Sequence, residues 1–254
     1  MLVDRFCLLH SVFAAALQVL SSLFVSHAPD THVAHAGGAV RGLDYTNSRE
    51  ALDANYDAGF RVFEIDLSWT TDGELVLAHD WDTKWKSLFN GEGVPSRSEF
   101  VSARMKAGLT QLGIHGLFRW MEEHPDALVV TDAKANNLDV LKLIAQADLP
   151  IRSRIVPQVY DFGEYAVARG MGFSRVVLSV YRMSEDGETI SRFVLRERPW
   201  ALTAPLWRIM RGDFDELLQR SGTFIYAHTV NDASQWVALS EKGVDGIYTD
   251  SLVP

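Results

Sequence analysis

The sequence predicts an α/β fold: an irregular TIM-type (β/α)8 barrel with an antiparallel β-hairpin at its second strand. Three observations carry this. Apolar runs near 33–34, 61–67, 128–134, 155–159, 175–180, 200–204, 223–228 and 246–249 have strand character, and helical patterns near 48–58, 109–123, 138–147, 162–171, 184–195, 213–220 and 233–242 fall between them. Eight strands separated by helices imply a parallel sheet closed into a barrel. The chain has 254 residues, 47% of them hydrophobic, which suits one domain with one core. Finally, the run at 75–79 follows Leu67 too closely for a right-handed crossover, which needs a dozen or more residues. It is therefore an extra strand, antiparallel to the one before it.

The turn between those strands holds Asp72-Gly73, a two-residue signal for a turn with positive φ at both central positions. Centred there, the hairpin places Thr71 opposite Glu74, Asp66 opposite His79 and Glu64 opposite Trp81. Directly opposed residues, and residues two apart, share a face, so Glu64, Asp66 and His79 fall together. Their neighbours Phe60, Val62, Phe63, Ile65, Leu67, Leu75, Val76, Leu77 and Ala78 are apolar on both parities, the pattern of strands covered on both sides. Carboxylates rarely sit in such strands unless paired or bound to metal. Two carboxylates and an imidazole on one surface suit a hard divalent cation with an acid/base group beside it.

Barrel active sites lie at the C-terminal ends of the parallel strands. His35, Glu64, Asp66, Asp132 and Lys134 all fall late in their strands, as do Gln158, Tyr181 and His228. Gln158 and Asn231 are candidates for the polar wall of the site. Trp69, Trp81 and Tyr181 are candidates for shaping the pocket. His10, His27, His115 and His124 have no carboxylate at ligand spacing and fit packing or surface roles.

These residues occur in an ordered set: His35-Ala36-Gly37-Gly38, Tyr45-Thr46-Asn47-Ser48, Glu64-Ile65-Asp66, His79-Asp80, Thr131-Asp132-Ala133-Lys134, Thr229-Val230-Asn231-Asp232 and Gly243 through Asp250. The set resembles the glycerophosphodiester phosphodiesterase family, with its phosphatidylinositol-specific phospholipase C-like and sphingomyelinase D-like relatives, over about 220 residues. The resemblance implies that His35 and His79 are the general acid/base pair, and that Glu64, Asp66 and Asp132 ligate one divalent cation, Ca²⁺ or Mg²⁺. It also implies that Lys134 contacts phosphate. Substrate contacts from Gln158, Asn231 and Trp81 complete the expected site. Two departures stand out. Asp132 replaces the family's usual glutamate, and Ala36 replaces the arginine that normally follows the first histidine. Positive charge beyond the metal would then come from Lys134, or from Arg41 reaching in. The implied activity is hydrolysis of a small phosphodiester or phospholipid headgroup. The rival readings are a phospholipase D-like or sphingomyelinase D-like lyase on lysophospholipids, and a non-catalytic cell-envelope barrel that binds a phosphate ligand.

A formal charge of −9 argues against a nucleic-acid surface, which would be basic. Cys7 is the one cysteine, so no intrachain disulfide exists and the compartment cannot be read from pairing. Residues 1–28 form an apolar N-terminal segment preceding a single phosphodiesterase domain, 29–254. Its stretch 6–25 is long enough to span or anchor in a membrane, and Ser26-His27-Ala28 offers small residues for a secretory cleavage. Ser11, Gln18 and Ser22 instead line one helical stripe, as in a helix packed into the place of the last barrel helix. Export, anchoring and packing all remain open, and a secreted, periplasmic, membrane-anchored or cytoplasmic location with them.

Overall fold

A computed structural model describes residues 30–220 and 222–254; the apolar segment 1–28 lies outside the described residues. The strands are β1 (His32–Ala34), β2 (Val62–Trp69), β3 (Leu75–Leu77), β4 (Leu128–Ala133), β5 (Ile155–Val159), β6 (Val177–Ser179), β7 (Ala201–Pro205), β8 (Phe224–His228) and β9 (Gly246–Thr249). Eight of them run parallel in the ring β1-β2-β4-β5-β6-β7-β8-β9, which closes where β9 pairs with β1. β1 is short and pairs β2 only at Val62 and Phe63. The upper edge of β2 is thus open to β3, which lies antiparallel along Leu67–Trp69. Helices fill the connections, so the expected irregular barrel is the observed fold.

The register of the hairpin differs from the expectation by one residue. Leu67 pairs Leu77, and Trp69 pairs Leu75. The loop is three residues long, with Gly73 at φ +76° and a Thr70 N–H to Glu74 O bond closing it. A three-residue loop with a left-handed glycine is the next most common hairpin solution. Asp66 consequently sits across from Ala78, whose N–H donates to its carbonyl at 3.1 Å. His79 follows the last paired residue instead of lying within the strand.

The interior of the ring is layered. Val33, Val62, Val130, Val156, Val177, Ala201, Tyr226 and Tyr248 form one buried cluster, one residue from each ring strand. Side chains two residues further along point the same way. Those positions are His35, Glu64, Asp132, Gln158, Ser179, Thr203, His228 and Asp250, so a complete polar layer sits directly above the apolar one. The alternate positions, such as Phe63, Ile65, Val129, Leu178, Leu202 and Ile247, pack outward against the helices in the main core. The barrel is closed by apolar packing below and presents polar chemistry at its C-terminal mouth.

Side-chain caps start several connecting helices. Ser48, Asp161, Asp186 and Asp232 each accept from a backbone N–H in the first turn of the helix that follows, and each such cap is worth about 1 kcal/mol. Between β3 and β4 the chain forms two short helices not anticipated from the sequence, Thr83–Phe89 and Arg97–Ser102. They enclose a small aromatic core of Trp81, Trp85, Phe89 and Phe100 over Val76. No helix of the described residues is long and apolar enough to cross a membrane.

Candidate active site

β2 and β4 lie side by side with Asp66 level with Asp132. Glu64, one pleat below Asp66, completes a buried group whose carboxylate oxygens lie within 4.8 Å of one another. Each carboxylate is held. Ala36 N–H donates to Glu64 Oε2 at 2.8 Å. Asn47 clasps Asp66: its Nδ2 donates to Oδ2 at 2.8 Å, and its Oδ1 accepts from the Asp66 N–H at 2.9 Å. The Tyr160 hydroxyl donates to Asp132 Oδ1. Lys134 Nζ bridges Asp66 and Asp132, 2.5 Å from each.

Such a cluster is electrostatically costly. Burial and repulsion from Asp66 push the Glu64 carboxyl well above its ordinary range. Burial would raise Asp66 too, but Lys134, with His79 and His35, holds it below the usual carboxylate value. Burial disfavours the Lys134 ammonium, yet Asp66, Asp132 and Glu64 together keep it firmly charged. Glu64 Oε1 is buried with no hydrogen-bond partner. A buried acceptor without a donor is expensive, and three converging carboxylates are hard oxygen ligands. The donor set therefore fits a divalent cation on its own chemistry. Glu64, Asp66 and Asp132 are the residues that could hold it.

Two imidazoles flank the cluster, each gripped through Nδ1. His35 Nδ1 lies 2.8 Å from Asp250 Oδ1, and His79 Nδ1 lies 2.7 Å from Asp80 Oδ2. A carboxylate only accepts, so both Nδ1 atoms carry the proton and both Nε2 atoms face away from their partners. His35 Nε2 is 3.9 Å from Glu64 Oε2. Burial opposes protonation of His35, but the Asp250 bond and the charges of Glu64 and Asp66 outweigh it and raise its pKa to about 9. Tyr45 stands edge-on between the two rings, 4.8 Å from each, with Lys84 Nζ 3.8 Å over its face.

The chain after β1 supports this arrangement. Gly38 adopts φ +83°, and a Cβ there would come within 2.4 Å of Asn55 Nδ2. That amide donates to the Gly37, Ala39 and Ala51 carbonyls, fixing the loop that carries His35 and Ala36.

No protein-family model matches the chain. Solved structures do. A glycerophosphodiester phosphodiesterase from Thermotoga maritima superposes with a TM-score of 0.70 at 21% identity, covering 88% of this chain and 96% of its own. A glycerophosphoryl diester phosphodiesterase from Parabacteroides distasonis gives 0.68 at 18% identity over 91% and 86%. An Oleispira antarctica phosphodiesterase, solved with its product sn-glycerol-3-phosphate, gives 0.66 at 15% identity over 87% and 93%. The chain has the glycerophosphodiester phosphodiesterase fold.

Within that barrel, the carboxylates of Glu64, Asp66 and Asp132 lie together, with Lys134 bridging two of them and His35 and His79 flanking them. Gln158 is buried in the same polar layer. Asn231 has a different place. Its Nδ2 donates to Asp250 Oδ2 at 2.6 Å, and its Oδ1 accepts from Asp250 N and Thr249 Oγ1. It thus steadies the partner of His35. Trp81 packs among the aromatic side chains of the two short helices and donates to the Trp69 carbonyl at 3.0 Å, which gives it a structural position at the edge of the site. Arg41 turns away, donating to the Ala107 carbonyl at 2.7 Å. His124 stacks on Trp120 at 4.3 Å, in keeping with a packing histidine.

The residues not singled out by sequence are Asn47, Asp80, Tyr160, Arg182 and Asp250. Asn47, Asp80 and Asp250 lie inside the motif stretches but had no assigned role. Tyr160 shares the parity of Gln158, and that signal was available. Arg182 sits on a loop after β6, with its Nη2 3.8 Å from Asp132 Oδ1, and carries no periodic signal.

Proposed function

We propose that this chain hydrolyses glycerophosphodiesters, using a divalent cation held by Glu64, Asp66 and Asp132 and an acid/base pair of His35 and His79. The observation that carries the reading is the pairing of two imidazoles, each tied through Nδ1 to its own carboxylate, around a buried carboxylate trio at the mouth of this fold. The product bound by the Oleispira antarctica neighbour supports a glycerol phosphate as the group retained.

A hard cation such as Ca²⁺ or Mg²⁺, held by Glu64, Asp66 and Asp132, would neutralise charge on the phosphate and make the attacking water easier to deprotonate. Asp132 is one methylene shorter than glutamate, a change that the looser geometry of Ca²⁺ accommodates better. The remaining steps belong to the protein. Asp250 and Asp80 fix the tautomers, so the Nε2 atoms of His35 and His79 are the proton-exchanging positions. One takes a proton from the attacking water as the new phosphorus–oxygen bond forms, and the other gives a proton to the headgroup alkoxide as its bond to phosphorus breaks. Lys134 supplies fixed positive charge where the transition state gathers negative charge.

The test is a panel of glycerophosphodiesters incubated with protein and metal, with products resolved by mass. The expected products are glycerol phosphate and the free headgroup alcohol. A cyclic phosphate product would establish the lyase reading, and no turnover of any diester would leave the binding-barrel reading.

A further inference from the structure

The charge that the resemblance expects directly after His35 is missing, because position 36 is a fully buried alanine. Arg41 does not supply it, and Lys134 is already engaged by two carboxylates. Among the described residues, Arg182 also comes within 4 Å of a carboxylate of the cluster. Arg182 follows β6, which stands across the ring from β1, four strands away in either direction. Its guanidinium lies 4.0 Å over the Tyr160 ring and 4.9 Å from the centre of the Tyr181 ring. Tyr160 is in turn pinned by its hydroxyl bond to Asp132. At 3.8 Å from Asp132 Oδ1, Arg182 is too far for a direct hydrogen bond to that carboxylate. It is a planar donor fork, set over the Tyr160 ring and beside the metal-site carboxylates, with N–H groups that Asp132 does not use. A guanidinium in this position is suited to two-point contact with phosphate.

We propose that Arg182 binds the substrate's phosphoryl group, delivering from the β6 side of the mouth the positive charge absent at position 36. The proposal rests on the phosphodiesterase reading for the identity of the substrate, but its chemistry, an arginine fork on a phosphate, can be measured without turnover.

The experiment is calorimetric titration of the metal-loaded protein with sn-glycerol-3-phosphate and with inorganic phosphate, alongside a separate metal titration and KM measurements on a glycerophosphodiester. The wild type is compared with Arg182→Gln and Arg182→Lys. Arg182→Gln is expected to weaken both phosphate ligands by about tenfold or more, the scale of a lost charge-assisted pair, and to raise KM in parallel while metal affinity stays as in the wild type. Arg182→Lys, which keeps the charge but not the fork, is expected to recover part of the loss. Phosphate affinity unchanged in Arg182→Gln overturns the proposal. So does an equal fall in metal affinity, because the arginine would then act through Asp132. A wild type that turns over no diester yet binds phosphate through Arg182 sinks the hydrolase reading alone, whereas a wild type that binds neither phosphate ligand overturns the contact itself.

Discussion

His35 and His79 share one design, an Nδ1–carboxylate anchor, but differ in surroundings. His35 is enclosed and linked onward through Asp250 to Asn231, while the Asp80 partner of His79 also accepts from the N–H groups of Asp82, Thr83 and Lys84 at the start of the helix Thr83–Phe89. His35→Ala and His79→Ala are each expected to lower turnover by roughly 10² or more without unfolding the protein, and steady-state kinetics with a melting curve checks both. Asp250→Asn is expected to lower kcat less than His35→Ala does and to leave KM near the wild-type value, since it disturbs orientation and not substrate contact. His228 makes a different prediction. Burial, and then the nearby His35 charge, hold its pKa down to about 4, and its Nε2 has no hydrogen-bond partner. A free histidine titrates near 6.5. Above pH 6.5 the ring is neutral in both the folded and unfolded chain and contributes nothing to the pH dependence. As pH falls from 6.5 toward 4 the unfolded chain takes up the proton first, so folded-state stability is lost across that window. Urea unfolding at pH 7 and pH 5 should show a smaller drop for His228→Gln than for the wild type; equal drops would contradict the assignment. At this scale the strand residues of the site were legible because each repeats the strand period of two. Asn47 and Arg182 were not, because loop positions have no period to betray which way they point.

Element geometry decides how these residues meet. The expected hairpin had the right strands and the wrong register: Asp72-Gly73 indicates a turn, but not whether two or three residues make it. A one-residue slip reverses every side chain, yet His79 still reaches the site, because it has left the ladder and acts on Asp66 from beyond the last strand pair. The short helices Thr83–Phe89 and Arg97–Ser102 were missed because neither is long enough to establish a helical period. The second does carry a local mark in its Ser96–Glu99 capping box, a four-residue signal that sequence can show. The loop after β1 offers a direct test of element-level support. Gly38→Ala forces a side chain into a left-handed backbone position and against Asn55, which holds three carbonyls of that region. The variant is expected to lose about 1–3 kcal/mol and to lose activity disproportionately, since His35 and Ala36 ride on this loop. Chemical denaturation and kinetics on the same sample measure both effects, and a wild-type melt with wild-type turnover would contradict the role given to this turn.

The whole molecule separates stability from chemistry along the barrel axis. One apolar residue from each of the eight ring strands closes the lower layer, and the residue two further along the chain from each is polar. This layering explains why fold and site were legible together: the alternation that identifies the strands also sorts their polar residues to one end of one cavity. It also concentrates three carboxylates in a single buried place, so a cation that binds the folded state alone should stabilise it. By mass action the gain is about 2.7 kcal/mol at a concentration a hundred times Kd. Adding Ca²⁺ or Mg²⁺ to metal-stripped protein should therefore raise its Tm, and Asp66→Asn should remove most of that rise. The most direct test of the account is the rate at which metal-stripped protein cleaves a glycerophosphodiester, followed as Ca²⁺ or Mg²⁺ is added back. The account requires no turnover in the stripped protein and recovery that saturates with the metal. Full turnover by protein shown by elemental analysis to contain no metal would contradict it.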